Sequence, residues 1–109
     1  GHGSASGFVR IRWTASALAD LVRLHEYLNP KAPEAAHRVI EQLQNAVTTL
    51  RDHPLMGERL DAYAPRAVRK IVVGSYELRY EVTSDYLTVL RIWHGRENRR
   101  PGPPDDLID

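Results

Sequence analysis

The stretch that decides the fold is Val68 to His94, VRKIVVGSYELRYEVTSDYLTVLRIWH. It contains three runs of branched and aromatic residues, separated by the turn dipeptides Gly74-Ser75 and Ser84-Asp85. Runs of this kind joined by tight turns predict neighbouring antiparallel strands. The middle run alternates apolar with charged residues, whereas the last is the most apolar and is typical of a central strand. The predicted strands are Val68–Val73, Tyr76–Val82 and Tyr86–His94.

A strand and two helices are predicted upstream of this meander. Val9, Ile11 and Trp13 alternate with arginines in Phe8–Trp13, which indicates a strand with one buried face. A helix then follows and ends at Asn29-Pro30, because proline disfavours a helical residue before it. Its apolar face is predicted to consist of Leu18, Leu21, Val22, His25 and Leu28. A second helix begins near Pro33, with an apolar stripe of Ala36, Val39, Ile40, Leu43, Val47 and Leu50.

The order β-α-α-β-β-β predicts an α+β fold, in which a helical hairpin packs on one face of a small, mostly antiparallel sheet. The first strand is expected to join the sheet beside the last, and residues 58–65 are expected to be irregular. Trp13 is expected in the core. Tyr76 and Tyr80 are expected to face the core with Leu78, unless one of them lines a groove on the other face. For Trp93, core and groove remain open.

The 109 residues are the size of one domain. We expect residues 1–7, GHGSASG, to be a cloning remnant, residues 8–99 to form the folded domain, and residues 100–109 to be a Pro-rich extended tail. The formal net charge is only +1, so no general electrostatic drive toward nucleic acid or membrane is indicated.

The chain has no cysteine, which excludes disulfides, thiolate metal ligands and cysteine nucleophiles. No run of about 18 apolar residues occurs, so we expect no membrane association. We expect the protein to be cytoplasmic. His25, His37 and His53 have no partner at metal-ligand spacing, and His25 is expected to be a core or boundary residue. We therefore expect neither a metal nor a cofactor.

Four phrases resemble ParE toxins of the RelE/ParE superfamily. They are Trp13-Thr14 before a helix, HPLMGERL at 53–60, VRKIVVGSYELRYEV at 68–82 and LRIWHGRENR at 90–99. The similarity covers nearly the whole predicted domain, and the last two phrases are the most specific. The resemblance implies the same β-α-α-β-β-β order. It also implies a cytoplasmic bacterial toxin of a type II toxin–antitoxin system, of the kind linked to plasmid stabilisation.

The resemblance implies two partners. One is a ParD-like antitoxin, and both a toxin homodimer and a heterotetramer with the antitoxin remain open. The other is DNA gyrase, whose cleavage complexes the toxin would stabilise. For target binding the predicted residues are Trp93, His94, Arg96, Glu97, Asn98 and Arg99. For antitoxin binding, the helical-hairpin surface and the basic strand edge are predicted, with Arg69, Lys70 and Arg79.

The wider superfamily also contains RelE-like enzymes, which cleave messenger RNA in the ribosome. Lys70 matches one lysine of that nuclease set, but Glu77 stands where those enzymes carry an arginine. No tyrosine follows Tyr86, so the C-terminal tyrosine of that set is absent. Some of these relatives have a catalytic histidine at the position of Gly95, and His94 lies one residue before it. We therefore expect a protein that is not an enzyme.

Alternatives to this interpretation remain open. A ribosome-dependent mRNA endonuclease would use Lys70, Arg79, Arg91, His94 and Arg96 for phosphate binding and proton transfer. His94 is otherwise a strand-end histidine with a local hydrogen bond. Residues 66–100 contain eight basic and four acidic residues, which fits either a partner surface or a solvated face with intramolecular partners. A further alternative is a complex-forming module without toxicity.

Overall fold

The computed structural model describes residues 9–29 and 32–95. The α+β fold and the element order are confirmed, with one added strand. The elements are β1 (Arg10–Trp13), α1 (Ala15–Leu28), α2 (Pro33–Asp52), β2 (Glu58–Arg59), a 3-10 turn η1 (Asp61–Tyr63), β3 (Val68–Val73), β4 (Tyr76–Val82) and β5 (Tyr86–His94). The added strand is β2, which lies in the segment predicted to be irregular. Two charged residues carry no alternating pattern, and only their pairing with β3 makes them a strand.

The five strands form one sheet in the order β1-β5-β4-β3-β2. β1 runs parallel to β5, and the other neighbours are antiparallel. The predicted position of the first strand beside the last is thus confirmed. The β4–β5 register shifts between Arg79 and Tyr80, which pair with Arg91 and Val89. Leu90 is the extra residue of this bulge, and such bulges re-aim the side chains beside them.

Both helices pack on one face of the sheet, which we call the inner face. The core between them joins Leu43, Val47 and Leu50 of α2 with apolar residues of α1, β4 and β5. Tyr76, Leu78 and Tyr80 all point into this core, and Trp13 packs against it, as predicted. Burial of such apolar side chains is the main favourable contribution to folding, at about 25 cal/mol per Å² of apolar surface.

The predicted apolar face of α1 is partly wrong. Leu18 and Val22 are 51% and 56% exposed, and His25 is exposed as well. The helix instead buries Ala17, Asp20 and Leu24. The helix is thus rotated about its axis relative to the predicted orientation. Hydrophobic periodicity does not indicate this rotation, because a carboxylate occupies the centre of the buried face.

That carboxylate belongs to Asp20, and it completes the hydrogen bonding of β5 beyond the end of β1. β1 pairs with β5 only as far as Val89. Further along, Thr14 Oγ1 donates to the carbonyl of Leu90 at 2.9 Å, and Asp20 Oδ2 accepts from the N–H of Ile92 at 2.8 Å. Side chains of α1 and its N-cap thus replace the missing strand, and buried backbone groups obtain the partners that they require.

A second close fit holds the loop after α2. The side chain of Tyr80 is fully buried; its hydroxyl accepts from Gly57 N at 2.9 Å and donates to Pro54 O at 2.8 Å. A Cβ atom on Gly57 would lie 2.6 Å from that hydroxyl, so only glycine fits. Burial raises the pKa of Tyr80 above its ordinary value. No helix in the described ranges is long and apolar enough to cross a membrane.

Candidate functional site

The sheet face opposite the helices, which we call the outer face, carries a line of cations across three strands. Lys70 of β3 lies opposite Arg79 of β4, and Arg79 lies opposite Arg91 of β5. We call these three residues the cationic row. Like charges directly opposite each other destabilise a sheet, so the row requires neighbouring anions or aromatic rings.

Each member of the row has an acidic neighbour. Arg79 Nε donates to Glu77 Oε2 at 2.9 Å, and Arg91 Nε donates to Asp20 Oδ2 at 2.9 Å. Lys70 Nζ lies 3.9 Å from Glu58 Oε1, a longer and more exposed pair. The row is therefore neutralised mainly within the chain.

Trp93 lies on the outer face, opposite Glu77 on the neighbouring strand. Its side chain is only 6% exposed, because two members of the row lie over its ring. The Cζ atom of Arg79 is 4.6 Å from the ring centroid, and that of Arg91 is 5.0 Å away. A guanidinium at this distance is attracted to the ring face by about 0.5–2 kcal/mol, more when it is desolvated. Of the residues that sequence placed near a groove on this face, Trp93 alone is there.

Tyr63 of η1 extends the same cluster. Its hydroxyl accepts from Arg79 Nη1 at 2.7 Å. Tyr63 also packs with Val68 and Leu90 in a small second apolar cluster, which covers part of the outer face. Side chains of the short β2–η1 segment thus cover one end of the outer face. Arg79 is bound by Glu77 on its own strand and by Tyr63 of this segment.

Asp20 is the residue that sequence reasoning missed. It is 3% exposed and binds Arg23 Nη2 at 3.0 Å as well as Arg91. An aspartate in a helix is otherwise typical of the surface, and only its position in an apolar stretch, ALADL at 17–21, indicated a buried role. Its function is to join α1 to the end of β5 that carries the predicted target-binding residues.

His94 points away from the cationic row. It pairs with Tyr76 across the strands, and the two rings meet edge to face at 5.1 Å. Because Tyr76 belongs to the inner-face core, His94 and Arg91 lie on different sides of the sheet. Of the predicted target-binding residues, Trp93 and His94 are therefore separated, and Arg96, Glu97, Asn98 and Arg99 lie outside the described residues.

The residues predicted to bind the antitoxin are also divided. Lys70 and Arg79 belong to the cationic row, whereas Arg69 lies opposite the core residue Tyr80. Arg69 Nη1 donates to the carbonyl of Gly57 at 2.7 Å and to that of Leu55 at 3.3 Å. Arg69 thus fixes the loop after α2, and its side chain is engaged with that backbone.

An apolar groove of about 500 Å³ lies between the C-terminal half of α2 and β3. Its lining residues are Ala46, Thr49, Met56, Gly57, Glu58, Lys70, Ile71, Val72 and Val73. Three large apolar side chains at or beside it, Leu55, Met56 and Val72, are exposed. We call this the α2–β3 groove. β2 pairs with β3 only at Arg69 and Lys70, so the sheet edge next to the groove is open.

A polar pocket of about 230 Å³ lies at the other end of the outer face, between β1 and β5. Arg12 donates to Thr88 Oγ1 at 2.9 Å and lies 4.0 Å above the ring of Tyr86. Arg66 binds Glu81 through two hydrogen bonds, of 2.6 and 3.0 Å, and this pairing raises the pKa of Arg66. Here too the cations have partners within the chain. The described residues contain no group of three potential metal ligands.

Comparisons with known proteins agree with this geometry. The family model of the ParE toxin of type II toxin–antitoxin systems, parDE, matches residues 11–99. Toxin RelE2 of Caulobacter vibrioides is 34% identical over 85 residues, covering 78% of this chain and 93% of the relative. Putative toxin Y4kP of Sinorhizobium fredii is 29% identical over 92 residues, covering 81% of this chain and 90% of the relative.

A solved structure described as the chromosomal ParDE TA system from P. aeruginosa has the same fold, with a TM-score of 0.69 at 22% identity. The alignment covers 82% of this chain and 98% of that chain. At this identity the likeness concerns the fold alone. The family model, by contrast, spans the first strand, both helices and the whole meander, including the cationic row. The chain therefore belongs to the ParE toxin family of type II toxin–antitoxin systems.

Proposed function

We propose that this toxin inhibits DNA gyrase by binding it and stabilising its cleavage complexes, and that a ParD-like antitoxin neutralises it in the bacterial cytoplasm. The observation that carries the proposal is Glu77, a buried carboxylate that binds Arg79, the central cation of the row. A ribonuclease would need that row to hold a phosphate in its transition state. Here the central arginine already binds a carboxylate, so recognition of a protein surface is the better explanation.

The position of His94 favours the same conclusion. A general acid or base must come within about 3 Å of the group whose proton it transfers. His94 packs on Tyr76 toward the inner face, whereas Arg79 and Arg91 lie on the outer face. A phosphate on the row and an imidazole on the other side of the sheet would not share one reacting group. We therefore propose that the toxin does not break bonds itself.

Gyrase recognition is proposed to involve the end of β5 and the residues after it, Trp93, His94, Arg96, Glu97, Asn98 and Arg99. Tryptophan and arginine are the residue types most often found as interface hot spots. Asp20 and Thr14 hold this end of β5 through its backbone. The last part of β5 is therefore held to α1 and its N-cap.

The antitoxin is proposed to bind at the α2–β3 groove with an amphipathic segment. Met56, Ile71 and Val73, which line the groove, would receive its apolar side chains. Lys70 at the rim would receive an acidic one. The segment would fold on binding as a helix, with or without an added strand at the open edge of β3. Arg69 would contribute through the loop that it fixes, and Arg79 through the row.

The test is a plasmid supercoiling assay with purified gyrase and toxin freed from its antitoxin. We expect lost supercoiling and accumulated linear DNA, while a parallel cell-free translation reaction stays normal. The double variant His94→Ala, Arg96→Ala should lose the effect. A matched control is His37→Ala, Arg38→Ala on the exposed face of α2, which should keep it. Normal supercoiling in the presence of excess wild-type toxin would refute the gyrase proposal.

The second candidate is a ribosome-dependent mRNA endonuclease. It is favoured by the names of two relatives, Toxin RelE2 and Toxin RelE3. Toxin RelE3, also from Caulobacter vibrioides, is 30% identical over 83 residues, covering 76% of this chain and 90% of the relative. Cleaved messages in the translation reaction, lost on replacement of Lys70 or Arg91 by glutamine, would establish it. Harmless expression of the chain without antitoxin would instead indicate a module that only forms complexes. Light scattering of the toxin alone and with antitoxin would separate a homodimer from a heterotetramer.

A further inference from the structure

The cationic row consists of the residue types that bind phosphate, but neighbouring carboxylates neutralise its positive charge. Three cations on neighbouring strands would attract a nucleic-acid backbone. The acids beside the row oppose this attraction. They differ in how firmly they are held and in what else they do.

Glu58 is a weak counter-charge, because its side chain is 71% exposed and lies 3.9 Å from Lys70. Asp20 is firmly held, but it also accepts from the backbone of β5 and from Arg23, so it belongs to the framework of the fold. Glu77 differs from both. It is 6% exposed, it lies on the central strand of the row, and its carboxylate binds Arg79 at 2.9 Å.

The position of Glu77 places a negative charge beside the central cation of the row, Arg79. In the register, Glu77 lies opposite Val72 on one side and Trp93 on the other. The indole ring that Arg79 and Arg91 cover is thus next to a carboxylate. A phosphate that reached Arg79 would have to share it with Glu77 in a partly desolvated place, where repulsion between like charges is poorly screened.

We propose that Glu77 determines the class of target by keeping the outer face closed to phosphate, so that the toxin recognises protein instead of nucleic acid. This inference rests on the proposed function, since it explains why a face of this shape serves a protein target. It makes a separate prediction about one residue. Loss of the charge at Glu77, without a change of shape, opens the row to single-stranded RNA.

The variant is Glu77→Gln, and the matched control is Glu41→Gln, which makes the same change in net charge on the exposed side of α2. Both are made in a Trp13→Phe background, so that Trp93 is the remaining tryptophan of the two in the chain. The probe is a labelled ten-nucleotide single-stranded RNA, followed by anisotropy of the label and by Trp93 fluorescence. Binding is measured at low and at moderate salt.

Glu77→Gln is expected to bind the RNA at least about tenfold more tightly than the parent at low salt, the effect of one charge removed close to a partly buried site. Its affinity should fall more steeply with salt, and RNA should quench Trp93. A second change, Arg79→Gln in the Glu77→Gln variant, should remove the gain. If glutamine prevents folding, Glu77→Met removes the same charge with an apolar side chain of similar length, and the same gain is expected.

Three results would overturn the proposal. They are equal RNA affinity of Glu77→Gln and the parent, an equal gain in Glu41→Gln, or a gain without any change in Trp93 fluorescence. Failure of the gyrase proposal would appear differently, as normal supercoiling with wild-type toxin. The RNA titration contains no gyrase, so the two outcomes are distinguishable.

Discussion

Replacement of Asp20 by alanine is the sharpest test of how α1 completes the sheet. The carboxylate accepts from the backbone N–H of Ile92 at 2.8 Å, from Arg91 at 2.9 Å and from Arg23 at 3.0 Å. An unpaired buried N–H costs about 1–3 kcal/mol, and breaking a buried ion pair costs about 3–5 kcal/mol. These penalties share one side chain and are not additive. We expect Asp20→Ala to lower the free energy of unfolding by about 3–5 kcal/mol.

The asparagine variant separates the backbone bond from the charge. Asp20→Asn keeps an oxygen for the N–H of Ile92 and loses only the ion pairs, so the expected loss is about 1.5–3 kcal/mol. Urea unfolding followed by tryptophan fluorescence and circular dichroism measures both variants. The control, Glu26→Ala on the exposed side of the same helix, should stay within about 0.5 kcal/mol of the wild type. A loss of less than about 1 kcal/mol for Asp20→Ala would refute the reasoning.

Three further predictions concern the contacts that hold the ends of elements. Gly57→Ala places a Cβ 2.6 Å from the Tyr80 hydroxyl and should cost about 1–3 kcal/mol in thermal unfolding; an unchanged melting temperature would contradict this. Tyr80 has a raised pKa, so its contribution to stability is complete below about pH 10 and is lost as the pH rises through the folded pKa, by up to about 1.4 kcal/mol per pH unit. Tyr80→Phe should remove this alkaline component, and urea unfolding between about pH 8 and 11 with equal slopes for both proteins would exclude it. Thr14→Ala loses the bond to Ala17 N that caps α1 and should cost about 1–2 kcal/mol in urea unfolding, whereas Thr48→Ala, on the surface of α2, serves as the neutral reference.

The meander and the helical hairpin could be predicted from the sequence because their signals are local. Gly74 adopts a positive φ of 61° in the turn that the sequence indicated. Pro33 lies at the start of α2, and Thr14 caps α1, as their chemistry favours. Each of these features depends on a few neighbouring residues, so periodicity and turn chemistry report them.

The rest depends on partners distant in the chain. Asp20 is buried only because β5 continues past the end of β1, and periodicity then assigns Leu18 and Val22 to the wrong face. Alternation predicts Glu77 on the polar side of its strand, yet Trp93 and the β2–η1 segment cover that side. The bulge at Arg79 and Tyr80 decides which cations align, and no local signal indicates it.

The residues of the candidate site could likewise be predicted by type, but not by their contacts. Sequence reasoning identified Trp93, Lys70 and Arg79 by type and by resemblance, and the structure brings these three to one face. It did not use the alternation of strand residues, which places the neighbours Trp93 and His94 on opposite faces of the sheet. Nor could it report that Arg69 is engaged with the loop carbonyls of Leu55 and Gly57.

The parallel pairing of β1 with β5 has a consequence for the moment at which toxicity can arise. Arg12 and its partner Thr88 are 76 residues apart, and β5, which pairs with both β1 and β4, is the last of the described elements to be made. Pairing between such distant segments forms late and slowly. Until β5 is made, β1 and β4 lack the strand that joins them, and the cationic row lacks Arg91. We therefore expect a chain released before Tyr86 to be unable to complete the sheet, and so to lack the surface on which its toxicity would depend.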